Sequence, residues 1–450
     1  MKPVFSKIKT KFTNYQIVAF MFFFAILVGT ALLSLPISIK EGQTNSFIDS
    51  FFTATSAVCV TGLVSVDTFT HWSTFGQVVI MLLIQIGGLG VMTIMTIFSL
   101  FIKRQLTLQE KSLFIHSNGS DVGSAKTVIK FVAIGTLAFE LFGALMLMIS
   151  FIPRFGAGNG IYYAVFHSIA AFCNAGFDLT GIYGEFTSFI TFRSDVVVHL
   201  TLSFLTFMGG IGFLVWADAV KHKFNFKKFS LHSKIVLIAS IILVGFTALL
   251  YFIFEKDYAL KGYTSGEQFL SCLSQAVSLR TAGFAMIDPA KMSEGGKLLS
   301  IIMMVIGGSP GSTAGGIKTT TLVVLIFSII ANVRRKKDIT VGNRRIDSAN
   351  VHQAYGLLSM YLALAIIGCG IICIVAPEYS LADVVFEVVS ALSTVGYSVG
   401  LSVHVAVVGK VVLILLMYIG RVGMLSFAMI FAGKNKVVPL ERPTEKIIIG

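Results

Sequence analysis

Four short segments of the sequence place a glycine among small and apolar residues. They read SAVCVTGL (56–63), AAFCNAGF (170–177), SLRTAGF (278–284) and ALSTVGY (391–397), and the aligned glycines are Gly62, Gly176, Gly283 and Gly396. Glycine adopts φ > 0 without a steric cost, so a turn at each position can aim successive backbone carbonyls to one side. Carbonyl oxygens arranged in this way can replace the hydration shell of a cation. The segments therefore predict cation coordination by main-chain oxygens.

The elements around each glycine repeat as well, because the aligned glycines are separated by 114, 107 and 113 residues. About a dozen mostly apolar residues precede each glycine, which at 1.5 Å per residue predicts a helix of roughly 18 Å, half the thickness of a membrane. Another apolar helix follows, with the signatures IGGLG (86–90), MGGIG (208–212), IGGSPG (306–311) and IGRVG (419–423). The predicted unit is helix, half-helix, glycine loop, helix.

The composition indicates a membrane protein. Of 450 residues, 55% are hydrophobic and 13% are charged, and the mean hydropathy of +0.85 is too high for an ordinary soluble protein. Eight apolar stretches are long enough to cross a bilayer of roughly 30 Å. The first of them follows a basic start without a small-residue cleavage site, which favours a retained helix over a signal peptide. The predicted class is an all-α integral membrane protein.

The basic residues test how often each unit crosses the membrane. The stretches 1–11, 103–130, 221–234, 334–345 and 434–446 hold 24 of the 35 lysines and arginines, whereas the segments around the half-helices are richer in acids. If every half-helix dips in and returns, these basic stretches share one face, which the positive-inside rule makes cytoplasmic. This distribution predicts eight membrane-spanning helices, four re-entrant half-helices and cytoplasmic termini. It also argues that the net charge of +13 does not serve to bind nucleic acid.

The predicted repeats set the domain organisation. Repeat 1 covers residues 12–104, repeat 2 covers 126–221, repeat 3 covers 233–334 and repeat 4 covers 352–433, and a cytoplasmic tail follows at 434–450. Non-helical backbone is tolerated at membrane depth only where protein buries it or it lines a water-filled space. We therefore expect the four loops to surround one central pore, as in a potassium channel.

These motifs resemble the Trk/Ktr/HKT superfamily of cation transporters, most closely its KtrB-type membrane subunits. The resemblance rests on the four repeats, on Thr394-Val395-Gly396-Tyr397, on GSTAGGIKTTT (311–321) and on IGRVG (419–423), and it spans about residues 12–433. Four letters of the fourth loop match the selectivity filter of potassium channels, and the other three loops depart from them. The resemblance implies a filter that is looser than that of such channels.

The resemblance implies a channel-like potassium uptake subunit of the bacterial plasma membrane, not an enzyme. Its filter carbonyls would belong to twelve residues, here called the glycine loops: Val60, Thr61, Gly62, Asn174, Ala175, Gly176, Thr281, Ala282, Gly283, Thr394, Val395 and Gly396. In plant relatives a serine at the first glycine accompanies sodium selectivity, so Gly62 favours potassium. Such subunits work as homodimers on a cytosolic RCK-type (KtrA- or KtrC-like) ring that binds nucleotides, and this chain has no nucleotide-binding domain of its own.

An interruption in the third repeat is the predicted gate. We call it the broken segment: Gly307, Gly308, Ser309, Pro310, Gly311, Ser312, Thr313, Ala314, Gly315 and Gly316. Glycine costs a helix about 1 kcal/mol per site and proline about 3 relative to alanine, so the helix should break here, just below the filter. The family resemblance implies a loop that obstructs the pore and moves on activation. A phosphate-binding loop is rejected, because Ile317 stands between the second glycine and Lys318 and no strand precedes.

Five charged residues fall inside apolar segments. We predict that Arg421, inside the last helix, projects under the filter, hydrogen-bonds carbonyls of the broken segment and adds a barrier to cations; a salt bridge elsewhere in the bundle is the alternative. Arg280 would need an acid, for which Glu387 is a candidate. Lys318 either snorkels or caps the helix before the break. Glu140 is either a helix-interface residue or a pore-side charge.

The remaining charges lie in loops. Acids at the outer mouth could concentrate cations or be ordinary solvated charges, and the candidates are Asp49, Asp67, Asp178, Asp288 and Asp383. The basic cytoplasmic segments, above all residues 334–345, either anchor anionic membrane lipid or dock an acidic regulatory partner.

Three other functions compete with potassium uptake. A sodium or mixed-cation transporter could use the same scaffold, and Na⁺ dependence and proton coupling are left open. An inverted-repeat secondary transporter is disfavoured by the one-sided basic linkers. A membrane enzyme is disfavoured because the sequence offers no paired carboxylates, metal-ligand cluster or nucleophile constellation.

Overall fold

The computed structural model describes residues 13–90, 125–336, 338–341 and 344–431. This part of the chain is almost wholly helical, which agrees with the predicted all-α class. The exception is a hairpin in which β1 (Thr340–Val341) pairs antiparallel with β2 (Arg344–Arg345). The tail at 434–450, most of the linker at 103–130 and the start at 1–11 lie outside the described residues.

The helices follow the predicted order of long helix, half-helix and second helix. In chain order they are α1 (Asn14–Leu33), α2 (Phe47–Cys59), α3 (Thr68–His71), α4 (Thr74–Leu89), α5 (Ala125–Cys173), α6 (Val196–Gly210), α7 (Phe213–Lys221), α8 (Leu231–Glu255), α9 (Ser265–Ser278), α10 (Glu294–Val305), α11 (Thr319–Val333), α12 (Ser348–Val375), α13 (Leu381–Leu392), α14 (Leu401–His404), α15 (Val407–Val422) and α16 (Met424–Phe431).

The half-helices are α2, α9, α13 and the last part of α5. The first three have 13, 14 and 12 residues, so each is roughly 20 Å long. In the second repeat no connecting loop separates the long helix from the half-helix, and the two meet at Gly156, whose φ is 79°. Ser46, Thr264 and Ser380 cap α2, α9 and α13, because each side-chain oxygen accepts a bond from a backbone N–H of the first turn.

The second helix is interrupted in repeats 2, 3 and 4, whereas the sequence predicted a break in the third repeat alone. Within the described residues, four helices are long and apolar enough to cross a membrane, or five if α6 and α7, bent by 90°, count as one span. The ends of α4, α6 and α15 fall on the small-residue signatures, where Gly90, Gly212 and Gly423 have φ values of 79°, 93° and 90°. A left-handed glycine ends an α-helix, so these signatures mark breaks instead of close helix packing alone.

The half-helices form the centre of the molecule and the long helices form its outside. Most residues of α2 and α13 are buried, including Phe52 and Phe386, which are fully inaccessible. The outer faces of the long helices expose large apolar side chains such as Phe24, Leu137 and Ile366. A continuous apolar exterior around a buried centre suits a lipid environment and is unfavourable in water.

Candidate functional site

The four aligned glycines come together at the centre of the described structure. A Cβ built on Gly62 would meet the carbonyl of Ala175, and one on Gly176 would lie 3.0 Å from the carbonyl of Ala282. Built on Gly283 it would meet the Val395 carbonyl, and on Gly396 the Thr61 carbonyl. Each glycine therefore contacts the residue that precedes the glycine of the next repeat. The contacts run from repeat 1 through 2, 3 and 4 and back to 1, so the glycine loops form a closed ring.

The glycine loops share an unusual backbone conformation. The glycines have φ values of 92°, 67°, 75° and 97° at positions 62, 176, 283 and 396. Two residues earlier, the non-glycine residues Val60, Asn174, Thr281 and Thr394 are also left-handed, with φ of 56°, 60°, 70° and 52°. The left-handed region costs a non-glycine residue of order 1–3 kcal/mol, so its recurrence in register at four places marks a constrained site. Sequence inspection names these residues but misses their backbone conformation, because nothing in Val or Thr indicates φ > 0.

The half-helices hold the glycine loops through hydrogen bonds to loop N–H groups. The N–H of Thr61 donates to the carbonyl of Ser56 at 2.8 Å, and that of Val395 donates to the carbonyl of Ser390 at 2.9 Å. The same two serines use their hydroxyls to accept from Gly62 (3.0 Å) and Gly396 (3.1 Å). Each half-helix also ends within two residues of its loop, so the partial negative charge of its C-terminus lies near the ring. Both features favour a positive charge beside the loops.

The broken segment packs against this ring from the side of the helix breaks. Its Ser309 N–H donates to the Gly210 carbonyl at 2.9 Å and its Thr313 N–H to the Gly209 carbonyl at 3.2 Å. The Thr313 hydroxyl donates to the carbonyl of Phe172, two residues before the second glycine loop, at 3.2 Å. A Cβ on Gly315 would lie 2.7 Å from the Ser393 carbonyl, directly before the fourth loop. The segment thus bridges the second and fourth repeats immediately beside the loops.

Two partly buried cations, Arg421 and Lys318, hold the broken segment in place. The Arg421 guanidinium donates to the Thr313 carbonyl at 2.5 Å and to the Gly87 carbonyl of α4. Arg421 lies in the last turn of α15, two residues before the helix is interrupted at Gly423. The Lys318 ammonium donates to the carbonyls of Ala314 (2.7 Å) and Gly315 (3.4 Å). Lys318 therefore binds the segment itself and does not cap α10, which corrects that alternative.

A family model for "Cation transport protein", TrkH, matches residues 6–438. The chain belongs to the TrkH family. It is 35% identical to the potassium/sodium uptake protein NtpJ of Enterococcus hirae, with 99% of each chain covered. It is 37% identical to the Ktr system potassium uptake protein B of Bacillus subtilis, over 98% of this chain and 97% of that one, and 33% identical to the protein of that name from Vibrio alginolyticus, over 98% and 96%.

The fold of this TrkH-family chain also matches a solved structure. The potassium transporter TrkH from Vibrio parahaemolyticus superposes with a TM-score of 0.72 at 18% identity, over 93% of this chain and 84% of that chain. At this identity the match establishes the fold. Together with the full-length relatives, it confirms the resemblance to the Trk/Ktr/HKT superfamily and its KtrB-type members.

The predicted ion pair between Arg280 and Glu387 is wrong. Glu387 instead accepts from the Ser398 hydroxyl at 2.8 Å and from the N–H groups of Val399 and Ser402 at 3.3 and 3.1 Å. Because the backbone after the fourth glycine loop already satisfies this buried carboxylate, it has no need of a cationic partner. Within the described residues, Nε and Nη2 of Arg280 have no hydrogen-bond partner.

Glu140 lies at a helix interface. Its side chain is 7% exposed, and its carbonyl accepts from the Ser168 hydroxyl at 2.6 Å. Both observations favour the interface alternative for Glu140 over a pore-side charge.

The five acids considered for the outer mouth all form hydrogen bonds or ion pairs with other residues of the chain. Asp288 pairs with exposed Lys291, Asp67 accepts from Phe69, Thr70 and Phe186 N–H groups, and Asp178 accepts from Thr180. Asp49 and Asp383 form ion pairs with lysines of other repeats. Structural roles therefore account for these five side chains.

The fourth residue after the N-cap of each second helix contacts the half-helix of the next repeat. These four rim contacts are Gln77–Tyr162 (3.1 Å), His199–Ser274 (2.9 Å), Lys297–Asp383 (3.0 Å) and Lys410–Asp49 (2.8 Å). They follow the same order around the molecule as the ring of glycines. The first two are neutral and the last two are ionic. The same structural position therefore joins neighbouring repeats through neutral hydrogen bonds at two boundaries and through ion pairs at the other two.

The ionic rim contacts should contribute measurably to stability. We expect Lys410→Met and Asp49→Asn each to lower the midpoint of thermal unfolding in detergent by several degrees, since each leaves a largely buried partner unpaired. The double variant should lose less than the sum, with a coupling of about 1 kcal/mol. Lys291→Met, which removes an exposed pair, should leave the midpoint unchanged. Additive effects of the two single variants would show that the pair is not coupled.

Proposed function

We propose that this chain takes up potassium across the plasma membrane as a channel-like subunit, with the ion passing through the ring of glycine loops. The observation that carries the proposal is the closed ring itself, in which four glycines from four repeats contact one another. The carbonyls of the twelve loop residues would replace the hydration shell of the ion. The partial negative charge at the four half-helix C-termini would stabilise it further without any ionised side chain in its path.

The choice of potassium rests on relatives and on the first loop. The relatives from B. subtilis and V. alginolyticus are named potassium uptake proteins, and the one from E. hirae a potassium/sodium uptake protein. Gly62 is a glycine and not the serine that accompanies sodium selectivity in plant relatives. A sodium or mixed-cation transporter on the same scaffold is the second candidate, favoured by the name of the E. hirae protein and by three loops that differ from a potassium-channel filter.

The broken segment and Arg421 would form the gate. The segment lies beside the second and fourth glycine loops, held by main-chain hydrogen bonds, by Lys318 and by Arg421. A guanidinium next to a cation path raises the barrier to entry, and a glycine-rich segment can move without large steric cost. Opening would then consist of releasing the Arg421–Thr313 contact and withdrawing the segment.

The proposed topology has eight crossings, four re-entrant half-helices and cytoplasmic termini. In this arrangement each broken pair, such as α10 with α11, completes one crossing, and the breaks line the path at membrane depth, where irregular backbone is tolerated. The excess of lysine and arginine in the linkers supports this orientation. The boundaries at 12–104, 126–221, 233–334, 352–433 and 434–450 follow from it.

Regulation would come from another polypeptide. The relatives called Ktr system proteins carry a name that implies further components. We propose a homodimer of this chain on a cytosolic RCK-type ring, KtrA- or KtrC-like, that binds the nucleotide. The basic linkers would contact this ring and anionic lipid headgroups on the cytoplasmic side.

Uptake of ⁸⁶Rb⁺ into liposomes that contain the purified chain tests the proposal. We expect uptake driven by an inside-high K⁺ gradient, with external K⁺ competing strongly and Na⁺ weakly. Equal competition by Na⁺ and K⁺ would select the mixed-cation alternative. Liposomes that take up no more ⁸⁶Rb⁺ than protein-free ones, with or without the regulatory ring, would rule out cation conduction by this chain.

A further inference from the structure

The residue directly after the loop glycine is apolar in three repeats and a tyrosine in the fourth. These residues are Leu63, Phe177, Phe284 and Tyr397, and each is at most 1% exposed. A buried hydroxyl costs free energy unless it finds a hydrogen-bond partner. A polar atom at a position that is otherwise apolar therefore indicates a specific contact.

The Tyr397 hydroxyl crosses to the third repeat. Its one proton is shared between two acceptors, Oε1 of Gln275 at 3.0 Å and the carbonyl of Phe284. Phe284 and Tyr397 occupy equivalent positions, so this contact joins two adjacent glycine loops one residue beyond their glycines. The Ser278 hydroxyl donates to the same Phe284 carbonyl at 2.9 Å, which fixes that carbonyl from the half-helix side.

Gln275 ties the Tyr397 hydroxyl to the backbone of the third repeat. Its side chain is completely buried on α9, and Oε1 also accepts from the N–H groups of Met286 (3.1 Å) and Ile287 (3.3 Å). Oε1 of Gln275 thus connects α9 with the backbone segment that follows the third loop and with the fourth loop. Convergence of several donors on a buried acceptor restricts its motion.

The other three boundaries between repeats have polar contacts farther from their glycines. Ser402 donates to the carbonyl of Val64 at 3.0 Å, Ala285 donates to the Ser188 hydroxyl at 3.2 Å, and Phe186 donates to Asp67 at 3.0 Å. Val64 and Ala285 are the second residues after their glycines and Asp67 is the fifth. The contact of Tyr397 lies one residue after its glycine, so it is nearer to the ring than these three contacts.

We propose that Tyr397 and Gln275 form a brace that fixes the separation of the third and fourth glycine loops and so increases the preference of the ring for K⁺ over Na⁺. This inference rests on the proposed function. Na⁺ is smaller than K⁺, so carbonyls must approach one another more closely to coordinate it well. A brace that resists this movement penalises Na⁺ selectively. Tyr397 and Gln275 are positioning residues, because they act on the loop backbone and do not touch the ion.

The test compares cation competition in liposomes. Tyr397→Phe removes one oxygen and keeps the ring, so we expect ⁸⁶Rb⁺ uptake without Na⁺ to persist while Na⁺ competes about threefold better or more, as expected for roughly one lost hydrogen bond. Gln275→Met tests the brace from its other end and should shift the ratio in the same direction. Tyr355→Phe is the control, because it removes a hydroxyl that hydrogen-bonds Ser328 at 2.7 Å between α12 and α11. Its ratio should equal that of the wild type.

Three results would separate the brace from the function on which it rests. Wild-type uptake with unchanged Na⁺ competition in both brace variants would overturn the brace and leave the proposed function intact. A lower thermal midpoint of Tyr397→Phe without a change in ratio would reduce the brace to a structural contact and overturn its role in selectivity. If Tyr397→Phe does not fold, the ratio of Gln275→Met alone decides. Absence of wild-type uptake would overturn the proposed function itself.

Discussion

Replacing Arg421 by alanine is expected to increase the rate of ⁸⁶Rb⁺ uptake about tenfold or more, which corresponds to a barrier lower by about 1.4 kcal/mol. The guanidinium holds the broken segment through the Thr313 carbonyl and α4 through the Gly87 carbonyl. The substitution removes a positive charge from beside the proposed ion path and removes both restraints at once. Flux should rise most at low K⁺, where electrostatic repulsion limits entry of the ion.

Two further variants separate charge from restraint. Arg421→Lys keeps the charge, but an ammonium lacks the planar guanidinium that donates to both carbonyls at once. This variant should therefore give an intermediate rate. Arg193→Ala removes the same charge from a half-exposed side chain that pairs with Glu267, and its uptake should equal that of the wild type. An Arg421→Ala rate at or below the wild-type rate, in protein of unchanged thermal midpoint, would contradict the barrier role.

Replacing Gly62 by alanine is expected to reduce ⁸⁶Rb⁺ uptake about a hundredfold or more, equivalent to about 3 kcal/mol of added barrier. The new Cβ would meet the Ala175 carbonyl and lie 2.7 Å from the Cα of Gly176, both of which are backbone atoms that cannot move aside. The φ of 92° adds strain for any residue with a side chain. The first and second loops would have to separate, which disrupts the ring.

Gly400→Ala is the matched control for this variant. Gly400 has a φ of 94°, nearly that of Gly62, but a Cβ there has no neighbour within 4 Å. The two variants pay a similar backbone cost, and only Gly62→Ala meets the next loop. Uptake should therefore survive in Gly400→Ala. Equal losses in the two variants would mean that backbone strain, and not the contact between loops, explains the effect.

Features that depend on local composition and on the spacing of the repeats could be predicted from the sequence. The spacing of Gly62, Gly176, Gly283 and Gly396 predicted four equivalent segments, and the structure brings them into contact. The poor helix propensity of residues 307–316 predicted a break, and α10 ends at Val305 just before it. Both patterns are local properties of the chain, which is why they could be recognised without coordinates.

Features that depend on tertiary contacts could not be predicted in this way. The pairing of Arg280 with Glu387 was wrong, because Glu387 is satisfied by backbone N–H groups that no side-chain pattern reveals. The left-handed conformation of Val60 and Thr394 likewise has no signal in the residue type. The rim contacts use Gln, His and Lys at one structural position, and only the shared distance from an N-cap could have related them.

The boundary between the fourth and first repeats has a consequence for biosynthesis. Lys410 reaches Asp49 across 361 positions of the chain, and Ser402 reaches Val64 across 338. Contacts of such high sequence separation form late, after the local helices. During translation the first three repeats are inserted before these partners leave the ribosome. A nascent chain therefore presents three of the four glycine loops before the fourth can close the ring.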